Sequence, residues 1–180
     1  MDLALLILRV VVGLLFVGHG TQKLFGWFGG HGVEGTGGFF EALGYRPPRT
    51  QAALAGFAET AGGVLLAFGL VLPLGAAMII GVMVNAIFAV HWEHGIWATN
   101  GGIEYPLVNA SVATALAFAG AGRFSLDAAI GWDLSGARWG LGALALGLIS
   151  GVVFLVLRRP PAPAAEVRAG DERGQERHAA

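Results

Sequence analysis

Glu59 is an ionisable residue in the middle of an apolar run, and it is the first candidate for chemistry in this sequence. The run from Thr50 to Leu72 is long enough, at about 1.5 Å per residue, to cross a hydrocarbon core of roughly 30 Å. A carboxylate near the middle of such a helix costs roughly 2.5 to 3.5 kcal/mol on insertion scales. Glu59 is therefore expected to be neutral, paired, or turned toward a wet cavity.

His19 and Lys23 are the nearest candidates for partners of Glu59. They lie four residues apart in the first apolar run, so on a helix both side chains can point at the same neighbour. We call the membrane face at which this run ends face B. Measured inward from face B by the helical rise, Lys23 lies about 3 Å deep, His19 about 9 Å and Glu59 about 14 Å. The sequence predicts that a Lys23 ammonium, with the His19 imidazole between, neutralises Glu59, and that the three form a catalytic, proton-handling cluster.

Four further side chains are expected to line a pocket around this cluster, opening to face B. Asn85 and Asn109 fall in two other apolar runs, about 8 Å and 6 Å from face B by the same count. Trp92 lies in a loop rich in His and Trp, and Glu104 starts the next run, where an acid complements the helix dipole. These four residues are the candidate cofactor-binding residues.

The polar cluster has two interpretations at this stage. It is either a fixed network that sets the packing of the helices, or a pocket in which an ionisable group handles protons for a bound ligand. Ionisable residues inside membranes are disproportionately functional, which supports the second interpretation, and both stay open here. A metal site built on His91, Glu93 and His94 is not predicted, because the chain offers no cysteine and loop histidines at an interface are usually solvated.

The composition places this chain among integral membrane proteins. Of its 180 residues 55% are hydrophobic, only 13% are charged, and 30 are glycine. The absence of cysteine excludes disulfide exchange, thiolate nucleophiles and Cys-ligated metal clusters. The net charge of −1 argues against a nucleic-acid partner. The expected surroundings are therefore a lipid bilayer.

Five transmembrane helices are predicted from the apolar runs. Pro73 is expected to close the second, Thr36 to cap a short interfacial helix through Ala42, and Ser125 to cap another. Arg9 is expected to snorkel to the headgroups. The predicted spans cover 3–25, 50–72, 74–90, about 104–121 and about 138–157.

The fifth span is expected to be an addition to a four-helix core. All the polar partners of Glu59 precede Ala121, so the chain divides into a bundle at 1–133, an extra helix at 134–157 and a disordered polar tail at 158–180. In the extra helix, Gly147 and Gly151 have the spacing of a helix-packing motif. They are expected to serve a homo-oligomer or the docking of a partner.

The basic residues near the span ends predict the orientation. Face B carries five of them and the opposite face three, which by the positive-inside rule makes face B cytoplasmic. The five are Lys23, Arg46, Arg49, Arg158 and Arg159, and the three are Arg9, Arg123 and Arg138.

Four short motifs occur in order across roughly residues 3 to 130. They are Gly18-His-Gly-Thr-Gln-Lys23-Leu-Phe, Glu59-Thr-Ala-Gly-Gly63 with Leu66 and Gly69, Asn100-Gly-Gly-Ile-Glu104-Tyr, and Gly120-Ala-Gly-Arg-Phe-Ser-Leu-Asp127.

Together these motifs resemble the DoxX family of small bacterial inner-membrane proteins. The resemblance implies an all-α membrane bundle with a four-helix core, located in the bacterial inner membrane. Related DoxD proteins are associated with thiosulfate oxidation coupled to quinone reduction. The resemblance thus implies a quinone as cofactor and a membrane subunit of a quinone-linked oxidoreductase, working alone or with a soluble redox partner. The alternative is a non-catalytic scaffold or a small-solute carrier.

Overall fold

The chain folds into α-helices joined by short loops. A computed structural model describes residues 1–159, and within that range it contains no β-strand. The polar tail predicted for 158–180 lies almost wholly outside the described residues. The helices are α1 (Asp2–Phe25), α2 (Gly32–Ala42), α3 (Pro48–Phe68), α4 (Leu72–Ala86), α5 (Glu104–Ala119), α6 (Leu126–Ala129) and α7 (Ala137–Val156).

Four of the described helices are long and apolar enough to cross a membrane, namely α1, α3, α7 and α4 with its continuation to His94. The fourth predicted span, α5, is a helix of 16 residues, which at about 1.5 Å per residue is shorter than a typical hydrocarbon core. It nevertheless runs from face B to the opposite face, because Arg123, just past its end, donates its backbone N–H to the Asp2 carboxylate at the start of α1. The predicted fold class is confirmed: the protein is a multi-pass helical membrane bundle.

The central helix of this bundle is α4. In its most apolar stretch 56% of the residues are buried, against 22 to 33% in the other three spans. Pro73 does not close the second span as predicted but lies in the first turn of α4, where its missing N–H leaves no hydrogen bond unmade. The link from α3 runs only from Gly69 to Val71, so α3 and α4 form a tight antiparallel hairpin.

Glycine allows α1 and α3 to approach each other closely. A Cβ atom on Gly13 would lie 2.5 Å from the carbonyl oxygen of Gly63, and one on Gly63 would lie 2.5 Å from that of Gly13. Helices in lipid associate largely through such close backbone packing. Such contacts hold α1 and α3, which carry Lys23 and Glu59, against each other.

The expectation that Gly147 and Gly151 serve contacts with another molecule is wrong. Both glycines are buried against α4: a Cβ on Gly147 would lie 2.6 Å from that of Ile80, and one on Gly151 would lie 2.6 Å from that of Val84. The small residues of α4 around Gly81 let α7 of the same chain pack closely against it. The two glycines of α7 therefore make contacts within the chain. The division of the chain after residue 133 stays a prediction.

Arg9 does not snorkel to the headgroups, because it is completely buried. Its Nη1 atom donates to the carbonyl oxygens of Leu66 and Ala67 at 3.4 and 3.3 Å, and its Nη2 atom donates to that of Phe124 at 2.6 Å. Those first two carbonyls end α3, where the helix dipole favours a cation. Arg9 therefore anchors the end of α3 rather than the membrane surface.

Asp127 caps the start of α4. Its carboxylate accepts hydrogen bonds from the backbone N–H groups of Val71 and Leu72, at 2.8 and 3.2 Å, and the residue is 2% exposed. The predicted cap by Ser125 is confirmed, since its hydroxyl accepts from the Ala128 N–H and so begins α6. The turn between α3 and α4 is thus held by a cation on one side and an anion on the other.

The interfacial helix α2 begins earlier than predicted. Its first intrahelical bond runs from the Gly35 N–H to the carbonyl of His31, so the helix starts at Gly32, and Thr36 is a buried interior residue. Glu34 in the first turn complements the helix dipole and supports this earlier start.

Candidate functional site

An ion pair joins α1 to α3 inside the bundle. The Lys23 ammonium nitrogen lies 2.6 Å from Oε2 of Glu59 and donates a hydrogen bond to it. The Glu59 side chain is 4% exposed, whereas that of Lys23 is 25% exposed. The carboxylate is thus enclosed by protein, and the ammonium connects it to the face B side.

His19 does not lie between Lys23 and Glu59 as predicted. Its Nε2 atom is 3.1 Å from the hydroxyl of Tyr105, and the two rings meet edge to face. The imidazole therefore links α1 to the start of α5. Lys23 reaches Glu59 directly because its longer side chain spans the gap that the histidine was expected to fill.

A cavity of about 410 Å³ opens beside this ion pair. Its walls come from α2, α3, α4 and α7, with Lys23 contributed by α1. Most of the lining is apolar, including Phe40, Met78 and Phe154. At the face B end the α4 helix continues as a π-helical turn at Ile87–His91, a rare backbone form that is frequent at functional sites. The site is therefore a mainly apolar pocket with a few polar groups at fixed positions.

Asn85 lies in the wall of this cavity and holds a second polar group in place. The Tyr45 hydroxyl donates to Asn85 Oδ1 at 2.7 Å, and Asn85 Nδ2 donates to the carbonyl oxygens of Gly81 and Gly151 at 3.0 and 3.1 Å. Burial raises the pKa of the Tyr45 phenol, and the nearby Arg158 guanidinium partly opposes that rise. Tyr45 is therefore protonated and able to donate at neutral pH.

The other three candidate lining residues lie outside the cavity wall. Asn109 is buried on α5 and donates to the Tyr105 carbonyl of its own helix, Glu104 accepts from the Ala98 N–H, and Trp92 is exposed. The helical rise sets the depth of a residue but not the direction in which its helix faces. Since α5 packs on α4 and α7 away from α3, equal depth did not bring Asn109 to Glu59.

Three polar lining residues were not recognised in the sequence, namely Tyr45, Gln51 and Ser150. Tyr45 had a usable signal, because it is one of only two tyrosines and directly precedes the Arg-Pro-Pro turn before α3. Gln51 and Ser150 had none, since single polar residues near span ends are common.

Residues 1–159 contain no group of three His, Asp or Glu side chains able to hold a metal ion. His91, considered above as a ligand, donates through Nδ1 to the Gly101 carbonyl at 2.6 Å and lines the cavity at its face B end.

Fold and cavity together define a multi-pass helical membrane protein with an ion-paired internal pocket. The chain belongs to the DoxX family, whose model matches residues 4–92, the segment that carries Lys23, Tyr45, Glu59 and Asn85. It is similar to the Bacillus subtilis (strain 168) protein named "Putative oxidoreductase CatD", with 30% identity over 115 residues that cover 64% of this chain and 79% of that protein. No solved structure gave a significant match.

Proposed function

We propose that this protein is a bacterial inner-membrane component of an oxidoreductase, and that it binds a quinone in the cavity beside Lys23 and Glu59. The observation that carries the proposal is the cavity itself, an apolar pocket in the membrane whose wall includes an ion pair. The similarity to a protein named as an oxidoreductase supports the redox assignment.

The residues present fit a quinone in size and polarity. A volume of about 410 Å³ is within the range of roughly 300 to 1,000 Å³ typical of small-molecule sites. Phe40 and Phe154 offer apolar surface to a flat ring. The Lys23 ammonium has three N–H groups and donates one of them to Glu59, so the others can donate to a ring oxygen.

Reduction of a bound quinone to a quinol takes up two electrons and two protons. The Lys23 and Glu59 pair supplies groups that hold and move a proton at the cavity wall. The partly exposed Lys23 side chain gives this pair a connection to face B. Because the sequence contains no cysteine, thiol redox chemistry is not available to this chain, and we assign the electron supply to a soluble redox partner at face B.

The test is quinone retention by the purified protein. Wild type is purified in mild detergent from bacterial membranes, extracted with organic solvent, and assayed for quinone per mole of protein. Ala55→Phe places a ring in the cavity and leaves both residues of the ion pair in the chain, whereas the matched control Ala115→Phe adds the same ring on the exposed side of α5.

We expect wild type and Ala115→Phe to retain quinone and Ala55→Phe to lose it. Absence of quinone from wild type, or equal retention by all three proteins, would contradict the proposal and favour the scaffold.

A further inference from the structure

On the cavity wall formed by α4 and α7, the side-chain hydrogen-bond donors already donate to groups of the protein. Both N–H groups of the Asn85 amide are donated to carbonyls, one on Gly81 and one on Gly151. The opposite amide orientation would set Asn85 Oδ1 against those two carbonyl oxygens, so the assignment is fixed. Asn85 therefore turns its oxygen, not its nitrogen, toward Tyr45.

Tyr45 has no free donor either. Its only hydroxyl proton is donated to Asn85 Oδ1, which leaves the lone pairs of the phenol oxygen. The Asn85 oxygen has two lone pairs, and Tyr45 uses one of them. At this point the wall can accept hydrogen bonds from a ligand but cannot donate them.

Two further side chains on the same wall also donate their hydrogen bonds to protein carbonyls. The Ser150 hydroxyl donates to the Gly147 carbonyl at 3.0 Å, and only its lone pairs remain. His91 donates its Nδ1–H to the Gly101 carbonyl, so that N–H is not available to a ligand. Both residues line the cavity. The polar groups that α4, α7 and Tyr45 present there are thus acceptors.

The opposite wall is different, because it can both donate and accept. Lys23 has ammonium N–H groups beyond the one given to Glu59, and Glu59 has a second carboxylate oxygen. Gln51 has one amide N–H on the Arg46 carbonyl, which leaves it another donor and its own oxygen. A ligand oxygen of either kind can be satisfied on this side.

We infer that the cavity selects a hydroxyaromatic ligand, and that within a quinone couple it binds the reduced, dihydroxy form more tightly. This inference rests on the proposed function and names the form of the ligand. A quinone carbonyl facing the α4 and α7 wall would meet only acceptors and remain unpaired, whereas a hydroxyl would donate to one of them. Burial of an unpaired polar group is costly, so the preference for the reduced form should be about tenfold or more.

Tighter binding of the reduced form makes the bound quinone a stronger oxidant than the free one. A tenfold preference raises the potential of a two-electron couple by about 30 mV. The site would then favour electron transfer into the bound quinone, which suits a component that receives electrons from a partner.

The experiment measures binding of three small probes to the purified full chain in detergent, under argon, by titration calorimetry. The probes are duroquinone, durohydroquinone and the dimethyl ether of durohydroquinone, which has the same ring and no hydroxyl proton. We expect durohydroquinone to bind about tenfold more tightly than either of the others.

Three variants test which side chains cause the preference for the reduced form. Asn85→Leu removes the central acceptor and should reduce the preference to near one. Ser150→Ala is the gentler change and should lower the preference several-fold. The matched Ser111→Ala removes an exposed hydroxyl that donates within α5, away from the cavity, and should leave the preference unchanged.

The outcomes separate this inference from the proposed function. If no probe binds wild type, both fail. If duroquinone binds as tightly as durohydroquinone, or if the ether matches durohydroquinone, the cavity is a quinone site without this selectivity. The probe comparison on wild type decides the matter even if Asn85→Leu does not fold.

Discussion

The Asn85 amide donates a hydrogen bond to the Gly151 carbonyl oxygen, 3.1 Å away, and so ties the C-terminal end of α4 to α7. The same carbonyl contact orients the Asn85 oxygen toward Tyr45. Because Ser150, Gly151 and Phe154 also line the cavity, α7 forms part of its wall. The helix that the sequence set apart from the core thus contributes to the candidate site.

Gly151→Ala should lower the stability of the protein, because the added Cβ would lie 2.6 Å from that of Val84 and 3.0 Å from the Gly81 carbonyl. Overpacking of this kind typically costs about 1 to 3 kcal/mol. The measurement is the free energy of unfolding in detergent. Gly142→Ala in the same helix is the control, since nothing lies within 4 Å of its added Cβ, and it should be neutral or slightly stabilising. Equal effects of the two changes would show that α7 does not pack on α4 in this way.

Glu59→Gln should destabilise the bundle, because it leaves the Lys23 ammonium beside a neutral amide. Breaking a buried pair costs about 3 to 5 kcal/mol, and we expect the lower end because the Lys23 side chain is partly exposed. The double variant Lys23→Met with Glu59→Gln should recover much of the loss. Glu41→Gln, which breaks the exposed pair with Arg46, is the control and should cost less than about 1 kcal/mol. Thermal unfolding of Glu59→Gln, Lys23→Met, their double variant and Glu41→Gln beside wild type measures this, and additive effects of the first two changes would argue against a coupled pair.

Arg9→Met should be among the most destabilising substitutions in the chain. It removes the hydrogen bonds to the carbonyl oxygens of Leu66, Ala67 and Phe124, of which that of Leu66 still accepts from the Gly69 backbone N–H. Hydrogen bonds to charged groups contribute roughly 1.5 to 3 kcal/mol, so a loss of about 3 kcal/mol or more is expected. Arg123→Met changes an exposed arginine at the same end of the bundle and should have little effect. The yield of folded monodisperse protein is the measurement, and a normal yield for Arg9→Met would refute the anchoring role.

Tyr45 should give the protein a stability loss at high pH. Because burial raises the pKa of its phenol in the folded state, folding favours the protonated form. The resulting stability is fully present below the ordinary tyrosine pKa of about 10 and is lost as the pH rises through the higher folded value. Absorbance titration should show one phenol ionising late. In Tyr45→Phe only Tyr105 remains to titrate, and the late component should disappear. A late component that persists in Tyr45→Phe would mean that the shift belongs to Tyr105.

The orientation with face B in the cytoplasm is tested by a fusion of alkaline phosphatase after Arg159. The structure strengthens the charge argument, since Arg9 is fully buried and no longer counts for the opposite face. That leaves Arg123 and Arg138 there, against four arginines and Lys23 on face B. The fusion should lack phosphatase activity, whereas one placed in the loop after α5 should be active. The reverse pattern would invert the topology.

The sequence alone determined the class of protein, the approximate positions of the helices and the residue around which the candidate site is built. Span length and apolar character are local properties, so they can be read without knowing which helices are neighbours. The depth of Glu59 and Lys23 followed from the constant helical rise, and their pairing followed from the cost of an unpaired charge in lipid.

Only the tertiary structure decided which polar residues meet. The rotation of each helix and the choice of its neighbours depend on close glycine contacts between segments far apart in sequence, such as Gly13 with Gly63 and Gly151 with Val84. By depth alone, Asn85 and Asn109 were equally good candidates for the cavity wall. Asn109 lies outside that wall because α5 packs on another side of the bundle. Arg9 likewise binds the carbonyl groups at the end of α3 because that end lies beside it. No local sequence pattern indicates that the two are neighbours.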